Sequence, residues 1–499
     1  GIEATTITLE VNILSGAKFC IVGLLDNAVK ESQQRIDSAL REIGSRIPGK
    51  RVIINMAPAD VKKEGSAYDL PLAIGIMAAN EQLATDKLED YMILGELSLD
   101  GSLVPVRGVL PITINARSNG FKNIIVPLAN ANEAAVVEGI QVYGFSHIRE
   151  VVGFLNQKIS HSPFQFNPHQ SAPEEYVYYD FKDVKGQETV KRALEVAASG
   201  AHNLLMVGSP GSGKTMLARR LPSILPPMTI EESLETTKIH SVAGKLSRNC
   251  SLITSRPFRS PHHTISGIAL IGGGTYPHPG EISLASNGVL FLDELSEFQR
   301  TVLEVMRQPL EDRKITISRA RYSVDYPANF MLIASMNPCP CGYYNHPTKE
   351  CSCTESAVQR YLSRISGPLL DRIDIHIEVV PVELDKITGT QEAESSHIVR
   401  ARVMAAREIQ TERFKAYPGI HCNAQMNPGL LKKFCPLDHQ CLTLLKMAMQ
   451  KFGLSARAYD RIIKLSRTIA DLASSDHILP QHIAEAIQYR SLDRESWGK

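Results

Sequence analysis

The chain has 499 residues, which is too many for a single hydrophobic core and predicts two to four domains. Hydrophobic residues make up 43% and 54 Lys and Arg nearly balance 53 Asp and Glu, so overall charge cannot carry nucleic-acid binding; local basic patches or a ring of subunits would be needed. No apolar run reaches the roughly eighteen residues that a membrane-spanning helix needs.

The first 155 residues predict a domain of mixed strands and helices. Residues 1–10 lack a basic stretch followed by an apolar block, so we expect no signal peptide and a cytoplasmic protein without a membrane partner. Alternating residues 7–11 and 51–54 predict strands. Residues 27–43 place Val29, Ile36 and Leu40 on one helical face, and residues 70–79 predict a buried helix.

Composition and periodicity divide the rest of the chain into three further segments. Residues 156–179 carry three prolines among polar residues and predict an interdomain linker. From 180 to 381 the order of helix, apolar strand, glycine loop and helix predicts a parallel α/β domain. Residues 382–499 have helical periodicity almost throughout, clearest at 395–414 and 458–472, and predict a small all-α domain.

A phosphate-binding loop follows the apolar strand 203–207. The loop and the helix start that it precedes form a Walker A pattern, made of Gly208, Ser209, Pro210, Gly211, Ser212, Gly213, Lys214 and Thr215. Backbone N–H groups of such a loop surround the phosphates of ATP, and the helix N-terminus adds positive charge. We expect Lys214 to reach the β- and γ-phosphates and Thr215 to ligate Mg²⁺. A chance glycine-rich turn is the alternative interpretation. It would not account for the paired acids that follow a later apolar strand, described below.

The segment 256–263 is a first candidate for DNA contact. It holds basic and aromatic side chains and precedes three glycines, and its candidates are Arg256, Phe258, Arg259, His262 and His263. Cations that bind phosphates and rings that stack on bases suit single-stranded DNA.

The apolar strand 288–292 ends in paired acids. We expect Asp293 to hold Mg²⁺ and Glu294 to polarise the attacking water, as in a Walker B motif. Two solvated acids at a strand end are the plainer alternative. A third buried strand, 330–336, ends at Asn337, whose amide could orient the water or sense the γ-phosphate, similar to the sensor-1 position of AAA+ proteins.

A basic hairpin-like stretch, 313–324, is the second candidate for DNA contact. Its candidate residues are Lys314, Arg319 and Arg321. A solvated basic hairpin without a DNA role is the alternative.

Four of the nine cysteines form one cluster, which consists of Cys339, Cys341, Cys351 and Cys353. Two close pairs of thiolates fit a closed tetrahedral Zn²⁺ site. Free thiols and disulfides are the alternatives, although the clustering and the odd total favour a metal site in a reducing compartment.

Arginines near the end of the α/β domain complete the candidate site. Arg372 could stabilise transition-state charge in a neighbouring subunit, with Arg364 as the competing arginine finger. Arg372 could instead pair with Asp371 or Asp374 in its own chain. Arg457 resembles a sensor-2 arginine, and a solvated arginine at a helix end is its alternative.

The motif order resembles the ComM (YifB) group of magnesium-chelatase-like AAA+ proteins over nearly the whole chain. The residues that carry this resemblance form four stretches, at 22–32, 57–65, 256–263 and 365–372. The resemblance implies an α/β multidomain protein with a Lon-protease/ribosomal-S5-like α+β domain, an AAA+ P-loop core and an all-α C-terminal lid. It also implies a hexameric helicase that uses ATP and Mg²⁺ to drive branch migration of DNA recombination intermediates in natural transformation.

The N-terminal domain departs from an active Lon peptidase. The stretches that should supply the catalytic serine and lysine read 68–73 and 106–111, and neither contains that residue. We therefore expect DNA handling or ring assembly there, without proteolysis. A DNA-stimulated ATPase that binds single-stranded, double-stranded or branched DNA is the leading functional hypothesis. A chelatase ATPase subunit and a protein-remodelling chaperone are the alternatives.

Overall fold

A computed structural model describes residues 3–84, 88–166, 179–246, 250–274, 277–319, 322–346, 348–382 and 393–490, without the side chains of Arg319 and Tyr322. The chain forms two compact units. The first unit comprises Gly1–Glu175 and Ile230–Thr254, and the second comprises Tyr176–Thr229 and Ser255–Lys499. Half of the predicted linker, at 167–178, lies outside the described residues.

The described strands are, in chain order, β1 (Thr8–Leu14), β2 (Phe19–Val22), β3 (Leu24–Leu25), β4 (Arg51–Ala57), β5 (Lys62–Lys63), β6 (Tyr91–Ile93), β7 (Glu96–Leu97), β8 (Leu103–Val104), β9 (Asn123–Pro127), β10 (Gln141–Phe145), β11 (Leu204–Gly208), β12 (Phe258–Arg259), β13 (Gly272–Gly273), β14 (His278–Pro279), β15 (Val289–Leu292), β16 (Lys314–Arg319), β17 (Tyr322–Pro327), β18 (Met331–Met336) and β19 (Ile375–Val379).

The described α-helices are α1 (Asn27–Glu42), α2 (Asp69–Ala79), α3 (Val109–Ser118), α4 (Ala131–Ala134), α5 (Ile148–Leu155), α6 (Glu188–Gly200), α7 (Lys214–Arg220), α8 (Ile230–Val242), α9 (Gly267–Ile271), α10 (Glu281–Leu284), α11 (Arg300–Val305), α12 (Arg307–Asp312), α13 (Glu355–Leu362), α14 (Gly367–Leu370), α15 (Ser396–Phe414), α16 (Pro428–Phe434), α17 (His439–Phe452), α18 (Ala456–Leu472) and α19 (Pro480–Gln488).

The first unit contains two three-stranded sheets. In one, β4 lies between antiparallel β1 and parallel β2, and its alternate residues Val52, Ile54 and Met56 are buried as the period of a strand requires. The other contains parallel β10, β9 and β6. Helix α1 begins where the Asp26 carboxylate accepts a hydrogen bond from the Val29 amide at 2.9 Å.

Residues 230–254 belong to the first unit, although the sequence placed them inside the ATPase core. Leu234 of α8 packs against a hydrophobic cluster that contains Val109 and Leu110, and the Ser241 hydroxyl donates to the Glu133 carboxylate. The predicted core at 180–381 is therefore interrupted in the structure: the chain leaves the second unit after Thr229 and returns to it at Ser255.

A five-stranded parallel sheet organises the second unit. Its order is β12–β15–β18–β11–β19. Because all five strands point the same way, the segments that follow β11, β15 and β18 emerge at one carboxyl edge. Ligands of open parallel sheets bind at this edge, where the connections diverge.

The C-terminal helices share the core of that sheet. Val403 of α15 and Ile462 of α18 lie in the same buried cluster as Leu204 and Met206 of β11. The predicted helices at 395–414 and 458–472 are present, as α15 and most of α18. They belong to the same compact unit as the sheet, whereas the sequence predicted a separate small domain.

The described part of the chain contains no helix long and apolar enough to cross a membrane.

Candidate nucleotide site

The loop between β11 and α7 curls at its glycines. Gly211 and Gly213 have φ angles of +79° and +94°, which a side chain would strain. At Gly208 an added Cβ would lie 2.3 Å from the Val379 carbonyl oxygen of the neighbouring strand. The loop therefore requires glycine for backbone conformation at two positions and for space at a third.

Lys214 lies buried at the centre of this loop. Its Nζ donates to the carbonyl oxygens of Gly208 and Ser209 at 2.7 and 2.9 Å, and to Oδ1 of Asn337 at 3.3 Å. Burial lowers the pKa of Lys214, and the charges of Asp293 and Glu294 oppose that shift. A phosphate would give this ammonium group a charged partner in place of neutral carbonyls.

Asp293 joins three elements at the carboxyl edge. Thr215 Oγ1 donates to Asp293 Oδ2 at 2.7 Å, and the Ser335 hydroxyl donates to Asp293 Oδ1. Hydroxyl and carboxylate oxygens are the ligands that Mg²⁺ prefers, so this pair fits the metal of an Mg–ATP complex. Ser335 was not among the predicted site residues, although it lies in β18 two residues before Asn337, and alternate residues of an extended chain share a face.

Glu294 projects from a left-handed backbone position. Its φ is +54°, its side chain is 58% exposed, and its Oε2 lies 3.4 Å from Nδ1 of His263. The carboxylate is open to a water molecule beside the Lys214–Asp293 cluster. His263, a predicted DNA contact, therefore lies beside the candidate general base.

Three other residues that were predicted to contact DNA have hydrogen-bond or ring partners within the second unit. Arg256 donates to the carbonyl oxygens of Pro226 and Asn287 at 2.7 and 2.6 Å. Arg259 donates twice to the Glu281 carboxylate, at 2.6 and 2.8 Å. The Phe258 ring stacks on Phe291 with a centroid separation of 6.0 Å. These contacts give the three side chains structural roles within the protein, and their contact with DNA stays a prediction.

His262 and the hairpin leave polar groups at the surface. His262 is exposed and its ring lies 4.1 Å from the His263 ring. Strands β16 and β17 form the predicted hairpin, in which Ile315 and Ile317 are buried and Lys314 is exposed beside Asp325 at 3.4 Å. The Arg319 side chain and Arg321 lie outside the described residues.

The two finger candidates differ in exposure. The Arg372 side chain is 7% exposed, and it donates to the Glu311 carboxylate and the Pro368 carbonyl oxygen, each at 2.6 Å. The Arg364 side chain is 55% exposed and lies 3.4 Å from the Glu297 carboxylate. Arg372 thus has an intramolecular partner, although it is neither of the two aspartates that the sequence offered.

Arg457 occupies the first turn of α18, which the Ser455 side chain caps. Its side chain is 61% exposed and lies 3.7 Å from the Asp371 carboxylate. It is accessible, as a residue that responds to nucleotide must be.

The four clustered cysteines come together directly after β18. All four Sγ atoms lie within 4.8 Å of one another, and those of Cys339, Cys341 and Cys351 are separated by 3.3 to 3.7 Å. Tetrahedral Zn–S bonds of about 2.3 Å place sulfur atoms about 3.8 Å apart, so the cluster fits zinc. Burial disfavours the Cys341 thiolate, but hydrogen bonds from the Tyr343 amide and the Cys339 thiol lower its pKa to about 6.

The cysteine loop touches the phosphate-binding loop. Gly342 has a φ of +84°, and a Cβ added there would lie 2.5 Å from Cδ of Pro210. The segment that holds the thiols therefore packs on the segment that would hold the phosphates.

Family models cover most of the chain. The model described as "Magnesium chelatase, subunit ChlI" matches residues 180–387, "Subunit ChlI of Mg-chelatase" matches residues 9–130, and "Magnesium chelatase, subunit ChlI C-terminal" matches residues 393–490.

Curated relatives match the chain end to end. Competence protein ComM of Haemophilus influenzae is 43% identical over 99% of this chain and 96% of its own length. Uncharacterized protein YifB of Escherichia coli is also 43% identical, over the same shares of the two chains. An uncharacterized protein of Mycobacterium tuberculosis is 39% identical over 98% of this chain and 96% of its own. This chain therefore belongs to the ComM/YifB family of magnesium-chelatase-like AAA+ ATPases.

Proposed function

We propose that this chain is an ATP-driven DNA motor, a helicase that promotes branch migration of recombination intermediates during natural transformation. The observation that carries the ATPase half is the convergence of Lys214, Thr215, Asp293 and Asn337 at one edge of the sheet. The DNA half rests on the full-length similarity to a protein named for competence.

In the proposed reaction, ATP occupies the loop of residues 208–215 with its phosphates against the backbone amides. Lys214 leaves the loop carbonyls to bind the β- and γ-phosphates. Thr215 and Asp293 hold Mg²⁺, which neutralises charge on the phosphates when bound. Glu294 accepts a proton from water as the water oxygen attacks the γ-phosphorus, the bond to the β–γ bridging oxygen breaks, and ADP and phosphate leave.

Asn337 and Arg457 are proposed to report the state of the nucleotide. Asn337 already contacts Lys214 Nζ through its side-chain oxygen at 3.3 Å, so the arrival of a γ-phosphate would change that contact. Arg457 is exposed and can reach a bound phosphate by a movement of α18.

We further propose that six copies form a ring, in which an arginine of one copy completes the nucleotide site of the next. Arg364 is already exposed, while Arg372 must first leave Glu311. A ring would also concentrate the local positive charge that a chain of net charge +1 cannot provide by itself.

DNA is proposed to contact the β16–β17 hairpin and the loop at His262. Exposed Lys314 and His262 support this choice, because their side chains can reach phosphates and bases. Hydrolysis would move these segments and advance the DNA.

The cysteine cluster is proposed to hold one structural Zn²⁺ through four thiolates. The short sulfur–sulfur distances support it, and none of the nine cysteines, all of which the structure describes, forms a disulfide, which suits a reducing cytoplasm. The metal would fix the loop that packs on Pro210.

The N-terminal domain is proposed to be Lon/S5-like in fold without peptidase activity. Ser66 and Lys63 do not pair: the Ser66 hydroxyl donates to Glu96, and the buried Lys63 Nζ donates to the Pro58 carbonyl. At the expected serine stretch, Asp69 is buried and bonded to Arg35 at 2.6 and 2.9 Å. These contacts support the proposal, because a Ser–Lys dyad requires the lysine to activate the serine and Ser66 and Lys63 bond to other groups.

The family models favour one other function, an ATPase subunit of a magnesium chelatase. A DNA titration into an ATPase assay separates the two. We expect single-stranded or branched DNA to raise the turnover of the full chain several-fold. Turnover that no DNA changes, but that a porphyrin and chelatase partner subunits stimulate, would support the chelatase. Stimulation by unfolded protein alone would support a remodelling chaperone.

A further inference from the structure

A cavity of about 260 Å³ lies at the edge of the ATPase sheet opposite the nucleotide site. Its wall includes Asn203, Phe330 and Asp374, which immediately precede β11, β18 and β19. The strands run in parallel from this edge to the loops that hold Lys214 and Asn337. Because β11 has five residues, roughly 16 Å of sheet separates the two sites.

The rest of the wall comes from helices. Helix α12 contributes Pro309, Leu310 and Glu311, and Arg313 follows that helix. Helix α18 contributes Arg461 and Lys464, about one turn apart. Residues 424–427, which precede α16, close the remaining side. The cavity thus joins the C-terminal helices to the sheet within one compact unit.

Three cations and two carboxylates line this cavity, and both carboxylates already have cationic partners. Asp374 is bonded to Arg461, and Glu311 is bonded to Arg372 at 2.6 Å. Two positive charges remain. The Arg313 guanidinium donates to Oδ1 of Asn329 at 2.6 Å and the Lys464 ammonium donates to the Ala424 carbonyl oxygen at 3.0 Å, and both acceptors are neutral.

The positive charges of Arg461 and Arg313 both disfavour the charged form of Lys464. Burial and the charge of Arg461 lower the pKa of Lys464 to about 8, and burial lowers the pKa of Arg313. Partly buried charges without charged partners carry a desolvation cost, so an anion between them would stabilise the fold.

We propose that this cavity binds a small phosphate-class oxyanion between Arg313 and Lys464. The volume admits inorganic phosphate or pyrophosphate with a few waters, at roughly 30 Å³ per water. It falls below the roughly 300–1,000 Å³ of sites for drug-sized ligands, which argues against a whole nucleotide.

A bound oxyanion would brace α18 against the sheet. Arg457 lies in the first turn of this helix, one turn before Arg461, so the site is placed to regulate how α18 responds to the nucleotide. Phosphate is also a product of the ATPase reaction, which makes product feedback the natural use of such a site.

The test uses the full chain carrying Lys214→Ala, which removes the phosphate ligand of the nucleotide loop. Inorganic phosphate and pyrophosphate are titrated by calorimetry, with sodium chloride at matched ionic strength as the control for charge screening. We expect one saturable site per chain and a rise in Tm that chloride does not reproduce. Adding Lys464→Gln or Arg313→Gln should weaken binding at least tenfold.

Lys446→Gln is the matched control, because Lys446 is an exposed lysine of α17 outside the cavity. It should leave affinity unchanged. In phosphate-free buffer Lys464→Gln should melt no lower than its parent, since it removes a repulsive charge, and this separates lost binding from lost folding. Absence of saturable binding, equal stabilisation by chloride, or undiminished binding in both cavity variants would overturn the proposal.

Discussion

At the residue scale, the candidate site depends on hydrogen bonds that orient Asp293. Ser335 is fully buried and donates to one carboxylate oxygen, while Thr215 donates to the other at 2.7 Å. The serine thereby leaves Oδ2 facing α7, which carries the hydroxyl of Thr215, the proposed Mg²⁺ ligand. Its contribution is to position a ligand, and it need not touch the nucleotide.

Ser335→Ala should therefore impair ATP hydrolysis while the protein stays folded. A hydrogen bond to a charged group contributes about 1.5–3 kcal/mol, which corresponds to roughly a 10- to 150-fold loss of kcat/KM if it all acts in the transition state. The Mg²⁺ concentration for half-maximal rate should rise as well. Ser283→Ala is the control, because Ser283 is a buried serine whose hydroxyl has no partner among the described residues. Equal kinetics for the two variants would contradict the role of Ser335.

Single residues also show how far the sequence could predict the site. Lys214, Thr215, Asp293 and Asn337 converge because their motifs end parallel strands, which chain order reveals. The partners of Arg256 are carbonyls about 30 residues away on either side, at Pro226 and Asn287. Nothing local in the sequence distinguishes such an arginine from one that binds DNA.

At the element scale, helices were predictable where their own residues determine them. Helix α1 has a capping Asp26 and a buried stripe at Val29, Ile36 and Leu40, so its bounds follow from local sequence. Helix α8 is different. No helix was predicted at its residues, and its assignment to the first unit depends on packing partners such as Val109, more than 100 residues earlier.

The cysteine loop is the element whose chemistry can be tested directly. The chain purified without chelators should contain one zinc per copy by elemental analysis, and Cys351→Ser should lose most of it. Because Gly342 of this loop packs on Pro210, metal loss should raise the KM for ATP and lower the Tm.

Cys20→Ser is the control for the zinc experiment, since Cys20 is a partly buried cysteine in the other unit. It should retain full zinc content and an unchanged KM. A metal-free wild-type protein with full activity, or zinc that persists in Cys351→Ser and Cys353→Ser, would contradict a four-thiolate site.

At the scale of the whole molecule, the proposed ring requires copies that share nucleotide sites. The test mixes two variants of the chain. Arg364→Ala subunits retain Lys214, and Lys214→Ala subunits retain Arg364. Each preparation should be nearly inactive alone, and their mixture should regain part of the ATPase rate, because some interfaces then combine an intact loop with an intact arginine.

The same mixing experiment with Arg372→Ala decides between the two arginines. Arg372 is held by Glu311 in its own chain, so its loss should also lower the Tm, whereas loss of Arg364 should not. No recovery in either mixture, with a monomer in solution, would exclude completion of the site by a neighbour.

The family and the Walker A and Walker B motifs could be recognised in the sequence, because each motif is a continuous stretch of the chain. It did not reveal that residues 230–254 depart into the first unit, or that the C-terminal helices share a core with the sheet. Both depend on contacts between distant segments, which one sequence does not encode in any local pattern.

The most direct test of the central claim is the processing of a synthetic four-way DNA junction by the purified full-length protein with Mg–ATP. We expect wild-type protein to convert the junction to branch-migrated products. Lys214→Ala should bind DNA and remain folded but give no product, and Lys446→Ala should match wild type. Junction processing that persists in Lys214→Ala, or none by wild-type protein that hydrolyses ATP, would contradict it.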